Sequence, residues 1–251
     1  LEAAPYAGLS FDAAEPIGDF GDEDVKEWDE LLGPDRVQAY NDGMRDLLQR
    51  AHELVGADRK VIYNGFAPNE KRGPERNLDL LDLTDGALTE RFCIGPQGQP
   101  EDIAADLTIM REHLDKQLFI RSNYRESFGE RDRYQRFCFG AFLLGWEPGH
   151  SYYQFGSDYT AAQLDEPAPD LDVNVGRPAG IARQDADLGW REFEHGIVFV
   201  NFDDRPVSVP APEALTEVSG GRTVAAVAAG EPVTVPAHDS VFLLRAAASG
   251  G

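Results

Sequence analysis

The pattern of apolar and polar positions divides the chain into two parts. Up to about residue 165, short continuous apolar segments alternate with longer segments whose apolar residues recur every three or four positions. Continuous apolar segments are typical of strands buried on both faces, and the three-to-four spacing is typical of amphipathic helices. This alternation predicts an α/β domain over residues 1–165, with its strands in a parallel sheet.

The helices and strands of this first part can be placed along the chain. Apolar positions from Val37 to Leu54 predict a helix that begins near Pro34 and ends at Gly56, because proline suits a first helical turn and glycine a helix end. A second helix is predicted over residues 100–115. Strands are predicted in the five segments AGLSFDAAEP, KVIYNG, GALTERF, QLFIRSNY and CFGAFLLGWEPG.

The second part is predicted to be a small antiparallel β-sandwich over residues 172–248. A segment rich in proline, glycine and aspartate, typical of a linker, begins at residue 165. Short valine-rich segments separated by turn residues follow it at close, regular spacing. Two of them, PVSVP and PVTVP, contain prolines that cannot donate a ladder hydrogen bond, so we expect short or edge strands there.

Each predicted strand of the first part ends on polar or aromatic residues. The carboxyl ends of parallel strands meet at one edge of a sheet, where α/β proteins keep their active sites. The sequence therefore predicts a functional site at this edge. Its candidate residues are Asp12, Tyr63, Asn64, Glu90, Arg121, Asn123, Tyr124, Trp146 and Glu147.

The order of these segments resembles a known family. FDAAEP, VIYNG, DGALTERF, LFIRSNY, GAFLLGW, GRPAG and WREFEHGIVFVNF together resemble hypothetical glycosyl hydrolase family 15, over residues 8–246. That family is similar to the (β/α)8-barrel polysaccharide hydrolases. The resemblance implies a TIM-barrel type fold in which FDAAEP is the fourth strand, DGALTERF the sixth and GAFLLGW the eighth.

The chain departs from the family pattern in two ways. Strands one to three are missing, and five strands cannot close an eight-stranded barrel, so we expect either that they lie upstream of Leu1 or that the fold is open. Ala13 also stands where the family has an asparagine, next to the candidate Asp12.

The resemblance implies that Asp12 and Glu90 form the catalytic carboxylate pair of a glycoside hydrolase. Such enzymes need one carboxylic acid to protonate the leaving oxygen and one carboxylate to act as nucleophile or base. Glu90 is assigned as the proton donor because apolar residues flank it along the strand, and Asp12 as the ionised partner. Glu15 is an alternative to Asp12. The alternative interpretation is that Asp12 and Glu90 are solvated residues at strand ends and have no catalytic function.

The other candidates would bind the sugar. Asn64, Arg121 and Asn123 offer hydrogen bonds to hydroxyl groups, and Glu147 is a third carboxylate at the same edge. Tyr63, Tyr124 and Trp146 offer flat aromatic faces for stacking. Structural alternatives exist for these residues. Asn64 can form an Asn-Gly turn, Arg121 can form a salt bridge with one of the many acidic residues, and Tyr63 can pack in the core.

The charge of the chain excludes some partners. With 45 acidic and 23 basic residues, the net charge is −22, which repels nucleic acid and anionic membrane surfaces. No apolar segment is long enough to span a membrane. The evenly spread acids and the use of arginine over lysine favour a protein from a salt-rich environment, with codon bias as the alternative.

No metal or cofactor is predicted. Cys93 and Cys138 are not part of a metal-binding spacing and are expected to be buried thiols, with a disulfide between them as the alternative. Three functions stand: a polysaccharide hydrolase, a non-catalytic carbohydrate-binding protein with a degenerate barrel, and a divalent-metal enzyme with Asp12, Glu90 and Glu147 as ligands. The substrate class favours an extracellular or cell-surface location, although the chain contains no signal segment.

Overall fold

A five-stranded parallel sheet, order β1-β2-β3-β4-β5, forms the first part of the protein. The structure, a computed structural model, describes residues 7–12, 30–66, 78–90, 92–93, 100–156 and 168–246, so Glu15 lies outside the described residues. The first four strands pair in parallel registers. The Leu118 N–H donates to His150 O, and the Tyr124 N–H donates to Gly156 O. The two hydrogen bonds join residues that are the same number of positions apart, so β5 runs parallel to β4. The strands are β1 Gly8–Phe11, β2 Lys60–Asn64, β3 Gly86–Thr89, β4 Gln117–Asn123 and β5 Ser151–Gly156.

α-Helices alternate with these strands along the described part of the chain. The first begins at Pro34 and ends at Val55, followed by Gly56 with φ of 72°, as the sequence predicts. It buries Val37, Leu48 and Ala51. The second predicted helix is also present and is three residues shorter than expected. The helices are α1 Pro34–Val55, α2 Leu78–Leu81, α3 Pro100–Glu112 and α4 Arg131–Gly145.

The fifth strand is not where the sequence predicts it. The segment predicted as a strand, CFGAFLLGWEPG, begins inside α4, and the strand that follows is SYYQFG. The helix is buried continuously from Phe137 to Gly145, so apolar residues surround it and hide its periodicity. Gly140 contributes to this packing, because a Cβ atom there would collide with Ser240 of the neighbouring sheet.

Antiparallel strands make up the part of the chain after residue 180. A six-stranded sheet has the order β11-β10-β13-β8-β7-β6, and β9 and β12 pair with each other in a separate two-stranded sheet. Both sheets contribute to one apolar core that includes Phe199, Leu243 and Val235. No helix occurs between residues 190 and 245. The strands are β6 Arg183–Asp185, β7 Leu188–Phe193, β8 Gly196–Asn201, β9 Val207–Pro210, β10 Leu215–Ser219, β11 Arg222–Val227, β12 Pro232–Val235 and β13 Asp239–Leu244.

The proline-containing segments behave as their composition predicts. PVSVP and PVTVP become β9 and β12, of four residues each, which pair only with each other among the described strands. By packing, the chain divides into two compact units that interleave in sequence: residues 1–92, 113–121 and 149–152 form one, and the remainder forms the other. A linear division into a barrel part and a β-sandwich remains a prediction.

The fold is therefore a mixed α/β fold with one parallel sheet and separate antiparallel sheets. Five parallel strands are described, too few to close a TIM barrel. A barrel completed by further strands stays a prediction of the resemblance.

Candidate functional site

Asp12 and Asn64 meet at the carboxyl ends of two neighbouring strands. Asp12 directly follows β1, and Asn64 is the last residue of β2. The two strands pair in register up to Phe11 and Tyr63, which brings the next residue of each strand side by side. Asn64 Nδ2 donates a hydrogen bond of 2.8 Å to Asp12 Oδ1. The amide therefore fixes one carboxylate oxygen of Asp12.

Glu90 and Arg121 form the equivalent contact between the next two strands. Glu90 directly follows β3, and Thr89, its neighbour, pairs with Ile120 of β4. Arg121 Nη1 lies 3.5 Å from Glu90 Oε1, and only 7% of Arg121 is exposed. The Arg121 carbonyl also accepts a hydrogen bond from the Phe92 N–H, which holds the chain beyond Glu90 against β4.

These two contacts lie on the same face of the sheet. Residues paired in register point to the same face, and so do residues two apart along a strand. Asn64 pairs with Leu88, and Leu88 pairs with Phe119, two residues before Arg121. The side chains of Asp12, Asn64 and Arg121 therefore share a face, and the Arg121 contact brings Glu90 to it.

This face is the more open of the two. Its residues Ile62, Leu88 and Phe119 are half-buried, whereas neighbours on the opposite face, such as Val61 and Ile120, are buried. Tyr152 of β5 stacks on Phe119 with ring centroids 5.0 Å apart, and 42% of it is exposed. The sheet therefore presents an accessible aromatic surface beside its polar edge.

Tyr152 was not predicted as a candidate residue. The sequence signal for this strand is the group of aromatic residues in SYYQFG, because aromatic residues are enriched in strands. The apolar pattern predicts the strand in the preceding segment, CFGAFLLGWEPG, which leaves Tyr152 outside it.

Tyr63 does not take part in this surface. It is completely buried and points to the face opposite Asn64, as its position one residue earlier in β2 requires. The prediction that it stacks on substrate is wrong for this reason, and the core alternative describes it.

Asn123 and Tyr124 lie at and just beyond the end of β4. Tyr124 is tied down by two hydrogen bonds, since its N–H donates to Gly156 O and its hydroxyl donates to Gly129 O at 2.6 Å. Its ring packs at an angle against Tyr134. Tyr124 therefore orders the turn after β4, and a role of either residue in sugar binding stays a prediction.

Trp146 and Glu147 are not at the end of a strand, which corrects their predicted position. Trp146 follows the last residue of α4, and its indole stacks against Phe193. Glu147 Oε1 accepts a 2.6 Å hydrogen bond from Arg191 Nη2, and Arg191 also donates to the Leu143, Leu144 and Trp146 carbonyls. This arginine neutralises Glu147 and satisfies the end of the helix, a structural arrangement.

The two cysteines are free and buried. Cys138 Sγ lies 3.9 Å from the Cys93 carbonyl oxygen, which also accepts a 2.7 Å hydrogen bond from the Tyr134 hydroxyl. Burial, with the neighbouring Cys138 and Asp106, raises the pKa of the Cys93 thiol well above its usual value. Burial therefore disfavours the thiolate, which is the form in which a cysteine reacts.

The described residues contain no group of three or more histidine, cysteine or acidic side chains arranged to hold a metal ion. Within the same residues, no helix is long and apolar enough to cross a membrane. Asp12 contacts the Asn64 amide, Glu90 contacts the Arg121 guanidinium, and Glu147 contacts Arg191. The metal-enzyme alternative stays a prediction.

A comparison with solved structures finds a remote likeness. No protein-family model matches the chain, and no curated protein matches it. Among solved structures, the chain is similar to an alpha-amylase from Geobacillus thermoleovorans in complex with acarbose, with 10% sequence identity and a TM-score of 0.45. The match covers 82% of this chain and 57% of the amylase chain. At this level the likeness defines neither the fold nor the activity of this chain, and the glycosyl hydrolase family stays a resemblance.

Proposed function

We propose that the protein is a glycoside hydrolase in which Asp12 and Glu90 are the catalytic carboxylate pair. One observation carries the proposal: both carboxylates reach the same open face at the carboxyl edge of a parallel sheet, each beside a polar side chain of the next strand. The carboxyl edge is where α/β enzymes place their reacting groups.

The spacing of the strands suits two carboxylates that act on one bond. β2 lies between β1 and β3, so two inter-strand spacings, about 10 Å in all, separate the strands that carry the pair. Carboxyl groups of inverting glycosidases are about 6.5–9.5 Å apart, and those of retaining enzymes about 5–5.5 Å. If the side chains of Asp12 and Glu90 lean toward each other across β2, the distance between their carboxyl groups becomes shorter than the strand separation and approaches this range.

Neighbouring residues would bind the sugar. The Asn64 amide and the Arg121 guanidinium lie at the edge with donors for hydroxyl groups, and the exposed ring of Tyr152 offers a flat surface for a sugar ring.

One observation favours a second candidate, a non-catalytic carbohydrate-binding protein. Asp12 and Glu90 are each already held by a donor of the adjacent strand, as carboxylates with a structural role commonly are. In that protein the same edge would present acceptors and donors to hydroxyl groups without cleaving the chain.

The test is the release of reducing ends from a panel of soluble starch, β-glucan, xylan and galactosaminoglycan. Asp12→Asn and Glu90→Gln are each expected to lower turnover by about 10²–10⁴-fold, the usual contribution of positioned acid–base groups. Asp58→Asn and Glu112→Gln, exposed acids at a turn and at the end of α3, are the matched controls and should retain wild-type turnover.

Two outcomes oppose the hydrolase. Binding to a polysaccharide without turnover by the wild type would assign the non-catalytic function. Turnover that survives both Asp12→Asn and Glu90→Gln would place the chemistry elsewhere in the protein.

A further inference from the structure

A cleft of about 210 Å³ lies at the β6 end of the six-stranded sheet. The Trp190 indole lines it together with Arg183, Glu192 and the segment Ala179–Ile181. None of these residues belongs to the candidate site described above. Pockets that enclose whole small molecules are larger, about 300–1,000 Å³, so this cleft suits one ring of a ligand that continues into solvent.

The strand pairing fixes the arrangement of the cleft. Arg183 of β6 pairs directly with Trp190 of β7, so their side chains stand next to each other on one face. Glu192 is two residues beyond Trp190 and shares that face. The Ala179 N–H donates to Glu192 O, which holds the preceding segment against β7. Trp190 also packs against the apolar core of the sheet, so its indole is anchored.

The polar groups of the cleft are available to a ligand. Within the described part of the chain, the side chains of Arg183 and Glu192 make no hydrogen bond or ion pair, although they carry opposite charges in the same cleft. Both are exposed. Ile181, next to them, is 79% exposed, which adds an apolar surface at the rim.

We propose that this cleft binds a neutral oligosaccharide. A half-buried indole offers a flat apolar surface of the kind on which the C–H face of a pyranose ring stacks, and the planar groups of Arg183 and Glu192 can each engage two adjacent hydroxyls. An arginine and a glutamate together present donors and acceptors with no net charge, which suits a ligand that has hydroxyl groups and no charge. The proposal rests on the carbohydrate class of the proposed function and does not require Asp12 or Glu90 to be catalytic.

The test is affinity electrophoresis of the full chain in gels that contain soluble starch, β-glucan or xylan, with titration calorimetry on the polysaccharide that retards it. Arg183→Gln and Glu192→Gln should each weaken binding by about 5–100-fold, the loss expected when a ligand hydroxyl loses its partner. Trp190→Phe should weaken it less than Trp190→Ala. Arg222→Gln and Val224→Ala, exposed positions in β11 at the other edge of the same sheet, are matched controls and should bind as the wild type does.

Glu90→Gln separates this proposal from the proposed function. If the cleft binds sugar, binding that depends on Arg183 and Glu192 persists in the Glu90→Gln protein, whether or not the wild type cleaves the polysaccharide. Retardation by none of the three polysaccharides overturns the proposal. So does wild-type affinity in both Arg183→Gln and Glu192→Gln, even if Trp190→Ala fails to fold.

Discussion

Arg121 Nη1 lies 3.5 Å from Glu90 Oε1 across the boundary between β3 and β4. The apolar residues that flank Glu90 along the chain predict that it is the proton donor. The guanidinium is a neighbour from a different strand, and it stabilises the charged form of a carboxylate. The contact therefore bears directly on which of Asp12 and Glu90 is the proton donor and which is the ionised nucleophile or base.

The first prediction concerns that division of roles. With Glu90 as the donor, Glu90→Gln should slow cleavage of an ordinary glycan by about 10²–10⁴-fold but cleavage of an aryl glycoside with a phenolate leaving group by less than about tenfold, because phenolate leaves without protonation. Asp12→Asn should slow the cleavage of both substrates by about 10²–10⁴-fold. The measurement is kcat on the two substrates for each variant.

The opposite pattern would reverse the assignment. If Asp12→Asn keeps its activity on the aryl glycoside and Glu90→Gln loses it, Glu90 is the ionised nucleophile or base, which is the form that Arg121 stabilises. Asp58→Asn serves as the control for nonspecific effects of the substitution, because Asp58 lies in the turn before β2.

The second prediction concerns Asp85, which fastens β3 to β2. Asp85 Oδ2 accepts a 2.9 Å hydrogen bond from the Val61 N–H, and its other oxygen lies 3.1 Å from Lys60 Nζ. Burial raises the pKa of Asp85, but the Val61 N–H, Lys60 and His52 outweigh it, so the net shift of this pKa is downward. Asp85→Asn should lower the free energy of unfolding at pH 7 by about 1–3 kcal/mol.

The pH dependence of this difference follows from the sign of the shift. An acid whose pKa is lower in the folded state stabilises the fold above its unfolded pKa, here 3.8, and stops doing so as the pH falls through the folded value. The difference between wild type and Asp85→Asn, measured by urea unfolding, should therefore be constant from pH 7 to about 5 and vanish under strongly acidic conditions. Asp82→Asn, an exposed neighbour, should have no such effect, and an equal effect from it would refute the assignment.

The sequence predicted the strand ends of the sheet better than its helices. Four of the five parallel strands lie where continuous apolar segments predict them, since strands covered on both faces carry that pattern whatever their partners. The positions of Asp12, Asn64, Glu90 and Arg121 at one edge follow from this. The contact between Glu90 and Arg121 does not, because it depends on the register of β3 and β4.

The extent of burial explains why the sequence pattern misses two elements. Helix α4 is buried on nearly all sides, so its apolar residues show no helical period, and the segment resembles a buried strand. Strand β6 is missed for the opposite reason. Its three residues are all exposed, so no apolar pattern indicates a strand there. The cleft beside Trp190 depends on β6 and was therefore outside what the pattern could predict.

The third prediction concerns a buried cluster around Arg136. Its guanidinium donates to both carboxylate oxygens of Asp239, at 2.8 and 2.6 Å, and lies 3.9 Å from Asp170 Oδ2. Asp239 is 3% and Asp170 1% exposed. Burial raises the pKa of Asp170, and the Gly220 N–H and Arg136 oppose the rise.

Removing the arginine leaves two buried carboxylates without their cation. Arg136→Gln should therefore lower the free energy of unfolding by about 3–5 kcal/mol. Arg133→Gln, on the same helix, should change it by less than about 0.5 kcal/mol, because Arg133 makes no hydrogen bond or ion pair with the described residues. Urea unfolding of the two variants measures the difference, and equal losses would mean that the cluster contributes no more than an ordinary surface charge.

The last prediction concerns salt. The 45 acidic and 23 basic residues leave a net charge of −22, and the ion pairs of the described residues, such as Arg245 with Glu213, neutralise only some of the acids. Repulsion among the others opposes the compact state. Raising the salt from about 10 mM to about 1 M shortens the screening length from about 30 Å to about 3 Å, which removes most of this repulsion.

The melting temperature should therefore rise across a KCl series, in contrast to the loss expected where exposed ion pairs dominate stability. A sodium sulfate series at matched ionic strength screens charge equally and also strengthens apolar burial, so any rise beyond that in KCl measures the second effect. A melting temperature that stays flat or falls as KCl increases would show that the acidic surface is not adapted to salt, and codon bias would then explain the scarcity of lysine.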